Sequence, residues 1–256
     1  MKTKLLLCIA ALAFSNLSTA EIVLNAPEYK PLNSVRVSMQ RMLRSSEGRY
    51  FLSLYAGVWN PHATLYDLVE EQTINLKGTQ KGDQLNLKSV DADSENRTNK
   101  TYQLSGILNA NSGDLKAMLA DGEDTSEKSI QFEPAIKVSD KPNFIFKFYG
   151  LEDINQPYGS LLKRLDIVNK NNNNVVQTLT GFTAFPKSIG YMDVNFDGYY
   201  DIVLSDISEE HTIQDKRYIY WMYNPKTQQF QRSPQLEKIV GFPKLHGEKQ
   251  QIDFGE

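Results

Sequence analysis

The sequence predicts a mainly β protein, in which an N-terminal antiparallel β-sheet region precedes a C-terminal β-sandwich or propeller-like domain. Short runs that alternate apolar and polar residues recur along the chain, which is the pattern of strands with one buried face. Turns rich in Gly and Asn separate these runs. No apolar pattern with a helical period extends beyond two turns, so helices are expected to be few.

Residues 1–20 are predicted to be a cleaved secretory signal peptide. Two lysines supply the basic start, an apolar stretch follows, and Ser18-Thr19-Ala20 supplies the small residues of a cleavage site. The apolar stretch is too short to span a bilayer. Cys8 lies inside this stretch, too early for a lipidated cysteine, so lipidation is not expected. The mature protein is therefore expected to be periplasmic or secreted.

Cysteine and charge content exclude several classes of function. Cys8 is the only cysteine, so the mature chain is expected to contain neither disulfides nor zinc–thiolate sites. Removal of Lys2 and Lys4 with the signal peptide takes the formal charge from −3 to −5. A mildly acidic surface favours neither nucleic acid nor anionic lipid as a partner. After residue 20, no stretch has the length and hydropathy of a membrane span.

The N-terminal region, residues 21–139, is expected to form an antiparallel sheet, a sandwich or a partial barrel. The stretch Val35–Leu43 alternates loosely and could be a strand or a helical turn. A turn is expected at Gly78–Gly82 and a polar loop at Asp91–Lys100. The clearer strand candidates are Tyr50–Tyr55, His62–Leu68, Thr73–Leu76, Gln84–Leu87, Tyr102–Leu108, Leu115–Leu119 and Ile130–Val138.

The polar segment Asp140-Lys141-Pro142-Asn143 is the predicted boundary of a C-terminal domain, residues 140–256. The asparagine-rich run Lys170–Asn174 is predicted to be a hairpin tip, because Asn tolerates a positive φ; a protruding contact loop is the alternative. The strand candidates are Phe144–Tyr149, Leu161–Val168, Val175–Leu179, Ile202–Leu204, Arg217–Tyr223 and Gln229–Gln231, with a last short element at Leu236–Val240.

The strand candidate Arg217–Tyr223 is unusually rich in aromatic residues. Tyr218, Tyr220 and Met222 are expected to face one way, and the alternate residues the other way. One face is expected to belong to the core. The other face either packs against a second sheet or presents an aromatic contact surface.

The most informative stretch is Gly190–Asp206, which carries oxygen-bearing side chains at alternate positions. Its residues Asp193, Asn195, Asp197, Gly198 and Asp201 follow the spacing D-x-N-x-D-G-x-x-D, which matches the first nine positions of a calcium loop. A hard cation needs several oxygen ligands at short range, and the glycine permits the sharp turn. The backbone carbonyl of Tyr199 falls at position seven.

The end of this stretch differs from an EF-hand. Position twelve of an EF-hand is a bidentate Glu, whereas this chain has Leu204 there, within an apolar run. The loop is therefore expected to lead into a strand. A metal-free turn of solvated Asp and Asn residues is the alternative. The predicted cofactor is one calcium ion, and its predicted ligands are Asp193, Asn195, Asp197, Tyr199 and Asp201.

The sequence contains no nucleophile elbow, P-loop, dinucleotide-binding or zinc-protease motif. His62, His211 and His246 lie beside a proline or in polar segments, as surface residues do. A glycosidase needs only two carboxylates, so a polysaccharide hydrolase stays open as the less favoured interpretation. However, the organised acidic cluster has calcium spacing, and carboxylates neutralised by a cation are poor general acids. We therefore expect the protein not to be an enzyme.

The segment YMDVNFDGYYDIVL resembles the calcium loops of FG-GAP (integrin-α-type) and VCBS-type repeats. The longer pattern DVNFDGYYDIVL, a polar loop and YIYWMYNPKTQQFQRSPQLEKI resembles a family of bacterial periplasmic immunity proteins. Members of that family act against lysozyme-like effectors of type IV secretion systems and are structurally related to periplasmic lysozyme inhibitors. The resemblance covers residues 144–245. A single calcium loop disfavours a propeller of repeated blades.

This resemblance implies calcium at the five residues named above and a protein partner, a peptidoglycan hydrolase that is bound and blocked. The first functional hypothesis is thus an exported, calcium-stabilised inhibitor or immunity protein. The alternative is a calcium-binding FG-GAP/VCBS-like module for adhesion or carbohydrate contact, which would use the surface of Tyr218–Tyr223. The resemblance transfers no inhibitory contact residue.

Overall fold

A computed structural model describes residues 28–90, 101–121, 127–153, 157–208 and 211–255. The predicted signal peptide, Cys8 within it and the polar loop 91–100 lie outside the described residues. Strands account for 58% of the structure and helices for 3%, which confirms the mainly β prediction. Among the described residues, no helix has both the length and the hydropathy that a membrane span requires.

The strands are numbered in chain order, and two short 3-10 helices, Ile213–Asp215 and Leu236–Lys238, lie between the later ones. The strands are β1 Lys30–Pro31, β2 Arg36–Ser45, β3 Tyr50–Ala56, β4 His62–Asp67, β5 Gln72–Lys81, β6 Gln84–Ser89, β7 Tyr102–Leu108, β8 Leu115–Asp121, β9 Glu127–Pro134, β10 Phe144–Glu152, β11 Ser160–Asn169, β12 Val175–Leu179, β13 Ser188–Met192, β14 Asp201–Ser205, β15 Tyr218–Asn224, β16 Gln229–Arg232, β17 Phe242–His246 and β18 Gln251–Gly255.

Strands β2 to β9 form a closed eight-stranded barrel. Each strand pairs antiparallel with the next, and β9 returns to pair with β2 through Leu43↔Pro134 and Ser45↔Phe132. The barrel interior is apolar because alternate residues of each strand point inward, as the alternating sequence predicts. The fully buried inward residues include Leu52, Leu65, Leu87, Leu104 and Leu115.

One predicted turn of the barrel is wrong. Gly78 lies inside β5, and the turn between β5 and β6 is formed by Gly82 and Asp83. Gly78 is required by close backbone approach, since a Cβ there would lie 2.0 Å from the carbonyl oxygen of Asn86.

Strand β2 also joins the barrel to the rest of the molecule. Its first residues pair parallel with β13, from Ser188↔Arg36 to Tyr191↔Met39, and β13 continues antiparallel into β14, β15 and β16. The stretch whose structure was undecided, Val35–Leu43, is thus mostly strand. The predicted boundary segment lies between β9 and β10. Strands β1 and β2 precede this segment in the chain but pair with β10 and β13, which follow it.

The C-terminal part contains two facing sheets. The sheet β1-β10-β11-β12 packs on the sheet formed by β13 to β16, and Leu165, Ile167, Ile202 and Ile219 lie buried between them. The predicted hairpin tip is confirmed, since residues 170–174 connect β11 to β12 and Asn173 has a φ of 59°.

A two-stranded hairpin, β17–β18, follows and forms its own small sheet. The short element predicted at Leu236–Val240 is present as a 3-10 turn, Leu236–Lys238, but it is not the last element, because the chain continues into this hairpin. Leu245 of β17 is buried against the outer face of β2, β3, β13 and β14, together with Met42, Phe51, Met192 and Val203. The sheet that leaves the barrel is thus covered on both faces.

Candidate functional site

The predicted calcium loop connects β13 to β14, with Met192 paired to Asp201 at its base. Two residues of the loop, Phe196 and Gly198, have positive φ values of 57° and 89°. A Cβ at Gly198 would lie 2.7 Å from Cγ1 of Val138, so both backbone conformation and space require glycine there. The prediction that the loop leads into a strand is confirmed, because β14 begins at Asp201.

Asp193 organises the first half of this loop. Its carboxylate accepts hydrogen bonds from the backbone N–H of Asp197 at 3.0 Å and of Gly198 at 2.8 Å. Asp193 is buried, and burial raises the pKa of its carboxyl group to about 6 although these two N–H groups oppose the change.

Asp201 is the most deeply buried of the predicted ligands, with no exposed surface. One oxygen of its carboxylate accepts the backbone N–H of Val194 and the other that of Tyr223, both at 2.8 Å. Burial raises the pKa of Asp201 to about 8, against the effect of these two hydrogen bonds.

The other three predicted ligands lie on the outer side of the loop or at its end. The exposed Asn195 donates from Nδ2 to Oδ2 of Asp197 at 2.9 Å. The second oxygen of Asp197 accepts the backbone N–H of Tyr199 at 2.9 Å. The Tyr199 hydroxyl donates to Asp140, and this hydrogen bond raises the pKa of Tyr199 to about 12.

The donor chemistry of the loop suits a hard cation, since it consists of three carboxylates, one amide oxygen and one backbone carbonyl. Burial raises the pKa of Asp193 and of Asp201, and a divalent cation would stabilise the charged forms of both carboxylates. No three acidic, histidine or cysteine side chains of the described residues gather closely enough to form a metal site. Calcium at Asp193, Asn195, Asp197, Tyr199 and Asp201 therefore stays a prediction that rests on the loop's donor chemistry.

Lys141 is a feature of this region that sequence reasoning missed. Its ammonium lies 3.6 Å from the centre of the Tyr200 ring, a cation–π contact. Desolvation of the ammonium lowers the pKa of Lys141 to about 8, although the residue as a whole is exposed, and the negative charges of Asp193 and Asp197 act in the opposite direction. Lys141, Asp193 and Tyr200 line a cavity of about 250 Å³ that the β17–β18 turn also bounds. Because Lys141 lies in a polar linker, the sequence gave no signal that it would lie beside Asp193 and Tyr200.

The aromatic strand β15 is not a free contact surface. Tyr223 packs against Phe230 with ring centres 5.1 Å apart, within the core between the two sheets. On the opposite face, Tyr220 is fully buried and Tyr218 lies edge-on to Phe242 of the hairpin at 5.4 Å. The interpretation in which the second face packs against further structure is confirmed at Tyr220, whereas Tyr218 is partly exposed.

An exposed apolar pair lies instead on the loop between β3 and β4. Val58 is 72% exposed and Trp59 is 65% exposed. The guanidinium of Arg36 lies 4.9 Å from the centre of the Trp59 ring. Large apolar residues inside a segment with Gly, Asn and Pro, between two strand patterns, are the sequence signal that could have identified this loop.

Two of the histidines contact residues outside the calcium loop. His62 stacks on Tyr55 with ring centres 4.7 Å apart, and His246 lies on the hairpin with its Nε2 3.1 Å from Asp253.

Comparison of the chain with protein-family models, curated proteins and solved structures found no significant match.

Proposed function

We propose that the protein is an exported, calcium-stabilised binding protein that inhibits a lysozyme-like peptidoglycan hydrolase and is not itself an enzyme. The observation that carries the proposal is the loop Gly57–Pro61, which presents the exposed side chains of Val58 and Trp59 at one end of the barrel. Trp and Arg are the residue types most enriched in binding hot spots, and this loop places Trp59 against Arg36.

The backbone of this loop is anchored to the neighbouring strands. The N–H of Gly57 donates to Oε1 of Gln80 at 2.7 Å, and the carbonyl of Pro61 accepts the N–H of Gly78 at 3.1 Å. Directly below the loop, Tyr55 of β3 pairs with His62 of β4. A loop held in this way loses little conformational entropy when it binds, which favours affinity.

The side chains of Arg36 and Trp59 suit the cleft of a glycoside hydrolase. Such a cleft contains two carboxylates that flank the scissile bond. The guanidinium of Arg36 can form a charge-assisted, two-point contact with a carboxylate, while Trp59 fills apolar space beside it. The identity of the target as a lysozyme-like hydrolase comes from the resemblance of residues 144–245 to the immunity proteins.

Calcium would act in this proposal as a structural ion. The loop Asp193–Asp201 follows β13, and β13 pairs with β2 at Arg36 itself through Ser188. An ion held by this loop would stabilise the strand pair from which Arg36 projects.

A turbidity assay tests the proposal. Suspended cell walls are incubated with a panel of lysozyme-type hydrolases, including those encoded by neighbouring genes, with and without the purified protein in calcium. We expect clearing by at least one hydrolase to slow in proportion to the protein added, and the protein alone to clear nothing. Undiminished clearing across the panel at a molar excess of the protein would refute the proposal.

A further inference from the structure

A second cleft, of about 400 Å³, lies on the outer face of the sheet where β2 leaves the barrel. Its floor crosses three neighbouring strands at residues in register, Ser38 of β2, Gly190 of β13 and Val203 of β14. All three side chains are small. Of the three, Ser38 is exposed, whereas Gly190 and Val203 are buried, and the floor lies between the barrel wall on one side and the β17–β18 hairpin on the other.

Aromatic side chains form the two walls of this cleft. Tyr55 and His62 stand on the barrel side, with nearly parallel rings at an angle of 11°. Tyr218 and Phe242 stand on the opposite side, with their rings at 74° to each other. The Tyr55 hydroxyl donates to Oε1 of Gln40 at 3.0 Å, which fixes the orientation of its ring.

The polar groups of the cleft include three serine hydroxyls, the hydroxyls of Tyr55 and Tyr218, and the imidazole of His62. Ser38, Ser188 and Ser205 all line it, and none of their side-chain oxygens forms a hydrogen bond with another described residue. None of the described residues that line the cleft is Asp, Glu, Lys or Arg. The site therefore offers flat apolar faces and neutral hydrogen-bonding groups, without a charge to select an ion.

The strands of the floor exclude one common mode of peptide binding. Strand β2 is paired with β3 and β13, β13 with β2 and β14, and β14 with β13 and β15. Their backbone groups are engaged, so an extended peptide cannot add to a free strand edge here. An entirely apolar ligand would leave the three serine hydroxyls without partners.

We propose that this cleft binds a neutral saccharide. The C–H face of a sugar ring packs on flat aromatic side chains, and its hydroxyls exchange hydrogen bonds with serines, which is the combination that the walls and floor supply. The volume lies within the range of small-molecule sites, so a short oligosaccharide is the expected ligand. This cleft adjoins the Val58–Trp59 loop, since Ser38, Tyr55 and His62 also line the pocket beside Trp59, but saccharide binding does not depend on the proposed inhibition.

Calorimetric titration of the full chain with the tetramer of N-acetylglucosamine and with cellotetraose tests the proposal. Ser38→Phe fills the floor at an exposed strand position, where Phe is compatible with β structure. Thr73→Phe, at an exposed position of β5 outside the cleft, is the matched control. Melting curves of both variants verify that they fold.

We expect one of the two sugars to bind the wild-type chain and the Thr73→Phe chain equally, and the Ser38→Phe chain at least tenfold more weakly. The proposal is overturned if neither sugar binds the wild type at millimolar concentration, or if folded Ser38→Phe binds as tightly as the wild type. Hydrolase inhibition is a separate assay, so either proposal can fail while the other stands.

Discussion

The carboxylate of Asp201 accepts a 2.8 Å hydrogen bond from the backbone N–H of Tyr223, which lies 22 residues further along the chain. The other oxygen of the same carboxylate accepts the N–H of Val194 within the loop. One buried side chain thus connects the predicted calcium loop to the aromatic strand β15. The loop is part of the core architecture as well as a candidate metal site.

Replacement of Asp201 by Ala should be strongly destabilising. It leaves the N–H groups of Val194 and Tyr223 buried without acceptors, and since each unsatisfied group costs about 1–3 kcal/mol, we expect a loss of about 3 kcal/mol or more. Urea unfolding followed by tryptophan fluorescence measures this loss. Asp206→Ala is the control, because among the described residues the Asp206 carboxylate accepts the N–H of Ser208 alone, and Asp206 is less buried. Equal losses in the two variants would contradict this account.

Calcium should raise the melting temperature of the wild-type protein. A ligand that binds only the folded state at about 100 times its Kd adds about 2.7 kcal/mol, which corresponds to a shift of roughly 5–10 °C for a chain of this size. Asp197→Ala should remove the shift, whereas Asp215→Ala, at an exposed 3-10 turn outside the loop, should retain it. Identical melting curves in calcium and in chelator would remove the metal site from the proposal.

Without calcium, stability should fall as the pH rises from 5.5 to 7.5. Burial raises the pKa of Asp201 to about 8 and that of Asp193 to about 6, so in this window the folded state holds protons that the unfolded state has lost. The free energy of unfolding should decrease by roughly 3 kcal/mol, at about 1.4 kcal/mol per pH unit for one such group.

Urea unfolding in chelator at several pH values measures this decrease, and Asp201→Asn should reduce its slope. Saturating calcium should also reduce it, because calcium binds the deprotonated carboxylates. If the stability of the wild type rises over this window in chelator, the predicted direction of the pH dependence is wrong.

Trp59→Ala should weaken inhibition of the target hydrolase at least tenfold while leaving the melting temperature unchanged. Removal of a Trp hot spot costs 2 kcal/mol or more of binding free energy, about 30-fold in affinity. Trp59 is mostly exposed, so its removal costs the fold little. Val69→Ala, a matched change at a 66% exposed residue of another turn, should inhibit as the wild type does. If the two variants inhibit equally well, the inhibitory contact lies elsewhere.

Much of the secondary structure could be predicted from local pattern. Strands β7 and β12 occur with the predicted bounds, because their alternation and flanking turns are local properties of the chain. The Asn-rich tip before β12 and the strand after the calcium-type loop were also predicted correctly, from the backbone tolerance of Asn and from an apolar run. Calcium binding itself stays a prediction.

Other elements gave no usable local signal. Strand β13 is short, contains Gly190, and forms by pairing with β2 about 150 residues earlier in the chain. Gly78 was assigned to a turn because Gly marks turns, but the close approach of Asn86 in the barrel makes it a strand residue. The hairpin β17–β18 is stabilised by packing on barrel and sheet residues that are distant in sequence.

Local sequence patterns account for the β character of this protein, for the leucines inside the barrel and for the oxygen-bearing loop before β14. These follow from the order of neighbouring residues. Three features depend on contacts between distant segments: β2 closes a barrel and also joins a second sheet, both faces of β15 pack against other elements, and Trp59 is exposed beside Arg36. Alternation predicts that a face is buried, but the partner that buries it depends on strand pairing between distant segments.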